Sequence, residues 1–282
     1  MKGALKECHV SNFAGQTAAI DVMVWLYKGA YSCSYELATG QQTLNFLAFP
    51  IKMLRMLKSK GIKPICVFDG FHLKAKEATE KDRQVYKKAN REKGVEHENN
   101  GNVEEAKKYF SRALVLRSRM IDLFMDILIE LNIEFVVSPY EADAQMAYMV
   151  REGIADFAIS EDSDLIAYGC PKILLKLNPI GSCQAFSFQD FYNSTFEGKE
   201  QKSLLQLQKL SSDDFTFACI MAGCEYLNNI ERVGLKSVLK IFEKEGSFDK
   251  VMEFYRTSKT HKDRIPDDYE AKARKVAQLF NY

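Results

Sequence analysis

The chain has 282 residues, 46% hydrophobic and 27% charged, with a formal net charge of +1. That balance suits one large α/β domain; no run is long and apolar enough to span a membrane, and no charged start followed by an apolar stretch marks a secretory signal. Its seven cysteines are an odd, scattered set with no CxxC pair, which fits reduced thiols of a cytosolic or nuclear protein better than a disulfide framework or a zinc site. With so little net charge, a nucleic-acid partner requires positive charge segregated from the acids.

In chain order, Gln16-Thr-Ala-Ala-Ile-Asp21 reads as a short buried strand ending in an acid, and Trp25-Leu-Tyr-Lys-Gly29 as the start of a helix. Leu44 to Lys60 has helical periodicity and ends at Gly61, a natural C-terminal stop. Lys63 to Asp69-Gly70 is a second apolar strand closed by an acid and a glycine. Residues 73 to about 120 read as two charged helices joined at the polar stretch Glu96–Asn102. Met120 to Leu131 is an amphipathic helix, and Ile133 to Val137 a third strand. Ser138-Pro139 opens a helix running to about Arg151; Phe157–Ser160 and Ile173–Leu177 are further strands. Periodicity weakens after Asn178, and the chain reads as all-helical from Ser211. Strands alternating with helices predict a mostly parallel, twisted central sheet with helices on both faces.

In such sheets ligands sit beyond the carboxyl ends of the strands, and acids fall there: Asp21, Asp69, Asp162 and Asp164 end or follow strands, with Glu141, Asp143 and Glu225 as further candidates. Asp162 and Asp164 share one face if strand geometry persists. So many anions at one edge repel and raise each other's pKa values, which dications relieve. Oxygen ligands without convergent His or Cys favour Mg²⁺ or Mn²⁺ over zinc. Each acid also has a bland reading. Ser138-Pro-Tyr-Glu141 is a good capping box, Asp143 a first-turn acid favoured by the helix dipole, and Asp21 and Asp69 ordinary strand exits. On a regular helix Glu141 and Asp143 point about 200° apart.

Ser138-Pro-Tyr-Glu-Ala-Asp-Ala-Gln-Met-Ala-Tyr148 and Ile159-Ser-Glu-Asp-Ser-Asp-Leu-Ile-Ala-Tyr-Gly-Cys170 closely resemble the internal-region signature of the XPG-type structure-specific 5′ nucleases. That family contains flap endonucleases and the 5′→3′ exonuclease of mismatch repair and break resection. Ala18-Ala-Ile-Asp-Val-Met-Val-Trp-Leu-Tyr-Lys-Gly-Ala30 and Val67-Phe-Asp-Gly70 resemble its N-terminal region; Met221-Ala-Gly-Cys-Glu-Tyr-Leu227 with Val233-Gly-Leu235 resembles its later acidic motif and helix–two-turn–helix. Among members the chain looks most like the mismatch-repair exonuclease.

The resemblance implies a PIN-like nuclease core. Residues 1–72 would form an N-terminal nuclease region, 73–120 a helical arch, 121–210 an internal nuclease region and 211–282 a helix–two-turn–helix DNA-binding region. It also implies two Mg²⁺ ions, with Mn²⁺ able to substitute, held directly or through water by Glu141, Asp143, Asp162, Asp164 and Glu225, with Asp21 and Asp69 completing the cluster. One ion would activate water and the other stabilise the leaving 3′ oxygen. Lys76 and Arg83 would face the scissile phosphate from the arch, where Lys74 to Arg119 carries thirteen Lys/Arg against eight Asp/Glu. Without that context such a stretch is simply a solvated helical surface. Tyr27 and Lys28 would lie near the DNA, and Gly234, Lys236 and Lys240 would meet duplex phosphates at a helix N-terminus. Implied partners are duplex ends, nicks, gaps and 5′ flaps of DNA in the nucleus, with no membrane.

The chain departs from the family pattern in several places. Glu225 stands where the family has Asp, moving the carboxylate by roughly 1 Å. Met23 and Tyr27 replace an aromatic and a histidine near the DNA, Arg232 replaces a hairpin glycine, and Ala222 and Asn229 replace serines associated with a potassium site. The sequence begins Met1-Lys-Gly-Ala where the family starts Met-Gly-Ile, and ends at Tyr282 before the tail through which protein partners are expected to bind. Three functions stay open: an active 5′→3′ exonuclease with flap endonuclease activity, a DNA-junction-binding protein of the same fold with impaired turnover, or a related acidic-site nuclease that prefers RNA.

Overall fold

The computed structural model describes residues 4–195 and 201–280. Its frame is a seven-stranded sheet of β1 (Lys6–His9), β2 (Thr17–Asp21), β3 (Lys63–Phe68), β4 (Glu134–Val137), β5 (Phe157–Ser160), β6 (Lys172–Leu175) and β7 (Ser182–Ser187). The spatial order is β1-β7-β6-β5-β2-β3-β4. From β6 to β4 all neighbours run parallel; β7 is antiparallel to both β6 and β1.

Alternation along the strands builds two cores. Ala18, Ile20, Cys66, Phe68, Phe157 and Ile159 face one side, and Ala19, Ile65, Val67 and Ala158 the other. Because side chains alternate and both faces are covered, the strands read as continuous apolar runs. Over the first face lie α1 (Val22–Ser32), α3 (Ala48–Ser59) and α6 (Ser118–Glu130), with the short α2 (Ser34–Thr39) following α1. Between β3 and α6 stands a hairpin of two charged helices, α4 (Glu77–Asn99) and α5 (Val103–Arg112). The second face carries α7 (Ala142–Arg151) and α8 (Asp164–Ala167). After β7 come α9 (Phe188–Asn193), α10 (Gln201–Gln208), α11 (Ser212–Met221), α12 (Leu235–Glu245), α13 (Phe248–Thr257) and α14 (Tyr269–Phe280), whose apolar sides extend the same core.

The sheet is thus mixed, mostly parallel and covered on both faces, as the alternating pattern predicts. Several expectations need correction. The edge strand β1 and its neighbour β7 escape the pattern because Lys-Glu-Cys-His and Ser-Cys-Gln-Ala-Phe-Ser are polar and small. The strand expected to reach Leu177 stops at Leu175, where Lys176 turns into the left-handed region at φ 55°. The helix expected from Leu44 begins as a 3-10 turn at Asn45–Leu47, and α4 continues through the polar stretch to Asn99, leaving a tighter bend. The helix expected to open at Ser138 starts at Ala142 instead. Ser138 is no N-cap: its hydroxyl donates to the carbonyls of Phe68 (2.8 Å) and Tyr140 (3.1 Å). All seven cysteines are free thiols, with Cys8 and Cys183 Sγ 3.4 Å apart across β1 and β7.

Candidate active site

The chain builds outward from β2 first through β3 to β4, then returns to place β5 and β6 on the other side of β2. This change of direction opens a crevice beyond the carboxyl ends of β2, β3 and β5. Asp21 is the last residue of β2 and caps α1, accepting from the Met23 amide at 3.0 Å. Asp69 follows β3 and accepts from the Ala142 amide at 2.9 Å, so it caps α7, an element far along the chain. Gly70 makes this approach possible. Its amide donates to the Tyr140 carbonyl at 2.6 Å, and a Cβ there would lie 1.9 Å from the Ser138 carbonyl oxygen. No other residue fits.

After β5 the strand geometry ends. The Asp162 amide donates to Ser160 Oγ at 3.1 Å, the Asp164 amide donates to Asp162 Oδ1 at 3.0 Å, and Asp164 opens α8. The expected two-residue strand spacing is therefore replaced by a turn. Asp143, in the first turn of α7, interacts with Asp21, Asp162, Asp164 and Asp69.

These acids divide into two sets. In the inner set Lys76 offsets only part of the charge on Asp69 and Asp164, and each resolved pKa moves upward. Loss of water, then repulsion from Asp69, lifts Asp21 to about 7. Desolvation lifts Asp69 as well, although the residue is open to solvent at its rim. Asp143 lies well above the carboxylate range, first through desolvation and then through four neighbouring aspartates; its Oδ1 is buried without a hydrogen-bond partner. Desolvation, then Asp162 and Glu225, push Asp164 to about 6.

The outer set is neutralised. Lys76 Nζ donates to Glu141 Oε1 at 2.7 Å and to Glu225 Oε2 at 2.5 Å, and Arg83 reaches Glu225 Oε1 at 2.5 Å. Burial opposes the charge on Glu225, but the bonds from Lys76 and Arg83 bring its carboxyl below the usual range. Glu141 Oε2 is held from the other side by the hydroxyls of Tyr168 and Tyr226. The cap positions explain how Glu141 and Asp143 can serve one crevice from opposite sides: Glu141 is the N-cap residue, not yet helical, while Asp143 points inward.

Among the described residues no three acidic, histidine or cysteine side chains close into a ready-made metal cage. The donor chemistry nonetheless fits a hard dication. The crevice offers carboxylate oxygens, one of them buried and unpartnered, and acids whose raised pKa values a nearby positive charge would lower.

The remaining candidates are more dispersed. Tyr27 is 38% exposed beneath the Lys87 ammonium, 5.6 Å from its ring. Lys28 pairs with Glu161 at 2.7 Å. Gly234 caps α12, on which Lys236 and Lys240 are exposed. Arg232 adopts φ 62°, a left-handed conformation that suits the glycine of the family pattern better than an arginine, and the Asn229 amide donates to the Val233 carbonyl at 2.7 Å across the same turn. Tyr168 and Tyr226 carried no assignment from sequence. Their signal was a tyrosine beside each acidic motif, which apolar packing explains equally well.

The fold is similar to that of two solved DNA-bound proteins. The catalytic core of Rad2 in complex with DNA substrate superposes with a TM-score of 0.61 at 17% identity, covering 99% of this chain and 78% of that one. GEN1 in complex with product DNA and a Mg²⁺ ion superposes at 0.60 and 17% identity, covering 99% and 62%.

The XPG N-terminal domain matches residues 1–90 and the XPG I-region residues 132–225, so the chain belongs to the XPG-type nuclease family. Exonuclease 1 of Xenopus laevis is 33% identical over 275 residues, 95% of this chain and 36% of that protein. The chain spans about a third of the length of the curated relatives it matches.

Proposed function

We propose that this chain is the nuclease region of a nuclear 5′→3′ DNA exonuclease that also cuts 5′ flaps, hydrolysing phosphodiesters with two Mg²⁺ ions. The observation that carries the reading is Asp143, a carboxylate with a buried, unpartnered oxygen among four other aspartates. Such a cluster is costly without a dication. Asp21, Asp69, Asp143, Asp162 and Asp164, with Glu141 and Glu225 at the rim, would hold the ions, whose chemistry is to generate hydroxide and offset charge on the leaving oxygen.

Lys76 and Arg83 have the task of meeting the scissile phosphate. Both reach the crevice from the start of the charged hairpin, and both are held by carboxylates at its mouth. A phosphate would compete with Glu141 and Glu225 for them, and once turned to it they would offset the charge that develops there.

Residues 73–120 would form an arch for single-stranded 5′ ends. A cleft of about 1000 Å³ between α2 and the hairpin supports this, lined by Lys87, Lys88, Arg91, Arg117 and Arg119, with no acid among the described residues of its walls. Here lies the segregation of charge that the near-neutral composition requires. Residues 211–282 would grip duplex phosphates through the α12 N-terminus at Gly234, with Lys236 and Lys240 beside it.

The grip of Glu225 on both Lys76 and Arg83 favours a second reading, a junction-binding protein with little turnover. A 5′-labelled flap and a recessed duplex, each with Mg²⁺ and with EDTA, separate the two. Metal-dependent release of 5′ products supports the nuclease; tight binding without cleavage refutes it.

A further inference from the structure

We propose that Tyr226, assisted by Tyr168, is a positioning residue that fixes Glu141 in one orientation and holds Lys76 against it. This rests on the reading of the crevice as a metal-dependent nuclease site.

The geometry begins with Glu141, whose side chain is only 13% exposed. Its two oxygens have different partners. Oε1 faces the Lys76 ammonium at 2.7 Å, while Oε2 accepts from the Tyr226 hydroxyl. The Tyr168 hydroxyl lies 2.7 Å from that of Tyr226 and 3.2 Å from Oε2. Each phenol has one proton to give. With Tyr226 donating to Glu141, Tyr168 can donate to the Tyr226 oxygen and so polarise the bond beyond it. A phenol is protonated at neutral pH and so able to donate.

Tyr226 also touches the cation. Lys76 Nζ lies 5.1 Å from the Tyr226 ring centroid, within cation–π range. One side chain therefore contacts both halves of the Glu141–Lys76 pair, through its hydroxyl on one and its ring on the other. The rings are braced from beneath: Phe280, at the end of α14, packs 4.5 Å from Tyr168 and 5.6 Å from Tyr226.

With Oε2 tied back, Glu141 can offer only Oε1 to the crevice. It cannot rotate to present both oxygens, nor swing toward solvent with Lys76. Groups that hydrogen-bond a ligating carboxylate set its orientation, and losing them typically weakens metal binding by about tenfold or more.

The test compares Tyr226→Phe and Tyr168→Phe with wild type by Mn²⁺ titration without DNA, read by electron paramagnetic resonance, alongside kcat and KM on a flap substrate. Tyr255→Phe is the control, because its hydroxyl is buried without a partner and away from the acids. Tyr226→Phe should weaken Mn²⁺ binding by about tenfold and lower kcat with KM little changed; Tyr168→Phe should do the same more weakly, and the control should do neither. Mn²⁺ affinity within about twofold of wild type in both variants, or an equal loss in the control, would overturn the proposal. Weakened Mn²⁺ binding in a chain whose wild type cuts no DNA would uphold the positioning role while refuting the nuclease reading.

Discussion

The inner aspartates and the outer glutamates occupy one crevice and carry the same chemical group, yet they behave in opposite ways. Asp21, Asp143 and Asp164 form no ion pair among the described residues, Lys76 only tempers Asp164, and all three are pushed upward, to about 7 for Asp21 and about 6 for Asp164. Glu225 has two cations on it and is held down. The difference lies in the partner rather than the carboxylate. The protein pairs its own positive charge with the rim, by Lys76 and Arg83, and among the described residues pairs none with the centre.

That contrast can be broken from either side. The largest effect is expected at the centre: Asp162→Ala should reduce cleavage by about a thousandfold or more while leaving DNA binding mostly intact, since two-metal chemistry has no substitute for a lost ligand. Unchanged turnover in single-turnover kinetics would remove Asp162 from the site. At the rim the effect should be smaller. Lys76→Ala should slow the chemical step by roughly a hundredfold with a much smaller loss of binding, and an equal loss in both would argue for a role in binding alone.

A third prediction concerns stability without metal. The Asp21 carboxyl titrates near 7 in the folded chain against 3.8 when unfolded. Between those values the folded state holds a proton that the unfolded state has lost, so stability falls as pH rises from about 4 to about 7, by on the order of 1 kcal/mol per pH unit from this group. Asp21→Asn should remove that slope. In EDTA its melting temperature should gain on wild type across this window, and parallel curves would contradict the assignment. The smallest effect belongs to the cleft beside α4. Charge reversal at Lys88 or Arg91 should weaken binding of flap DNA several-fold at low salt, and the deficit should shrink as salt rises. A salt-independent loss would point to misfolding.

How much of this was legible in the sequence differs between the same two regions. Apolar runs ending in acids disclosed β2, β3 and β5 and thereby Asp21, Asp69, Asp162 and Asp164, because a buried parallel strand is both apolar and short. The edge strand β1 and its neighbour β7, half polar, carried no such signal. The motif around Ser138 was misread locally. Its capping-box spacing is genuine, but Asp69 from β3 takes the cap, a contact between residues 73 positions apart that no local pattern records. The outer set was legible only as separate residues. That Lys76 bridges Glu141 to Glu225, and that Tyr168 and Tyr226 close the far side of Glu141, depends on the β3 exit, α4, α7, α8 and the turn after α11 meeting at one place.

The most direct test is a crystal of this chain soaked in Mn²⁺ and read by anomalous scattering. The account predicts two peaks about 4 Å apart among Asp21, Asp143, Asp162 and Asp164. A crevice with no peak at saturating Mn²⁺, and with Lys76 still bridging Glu141 and Glu225, would contradict it.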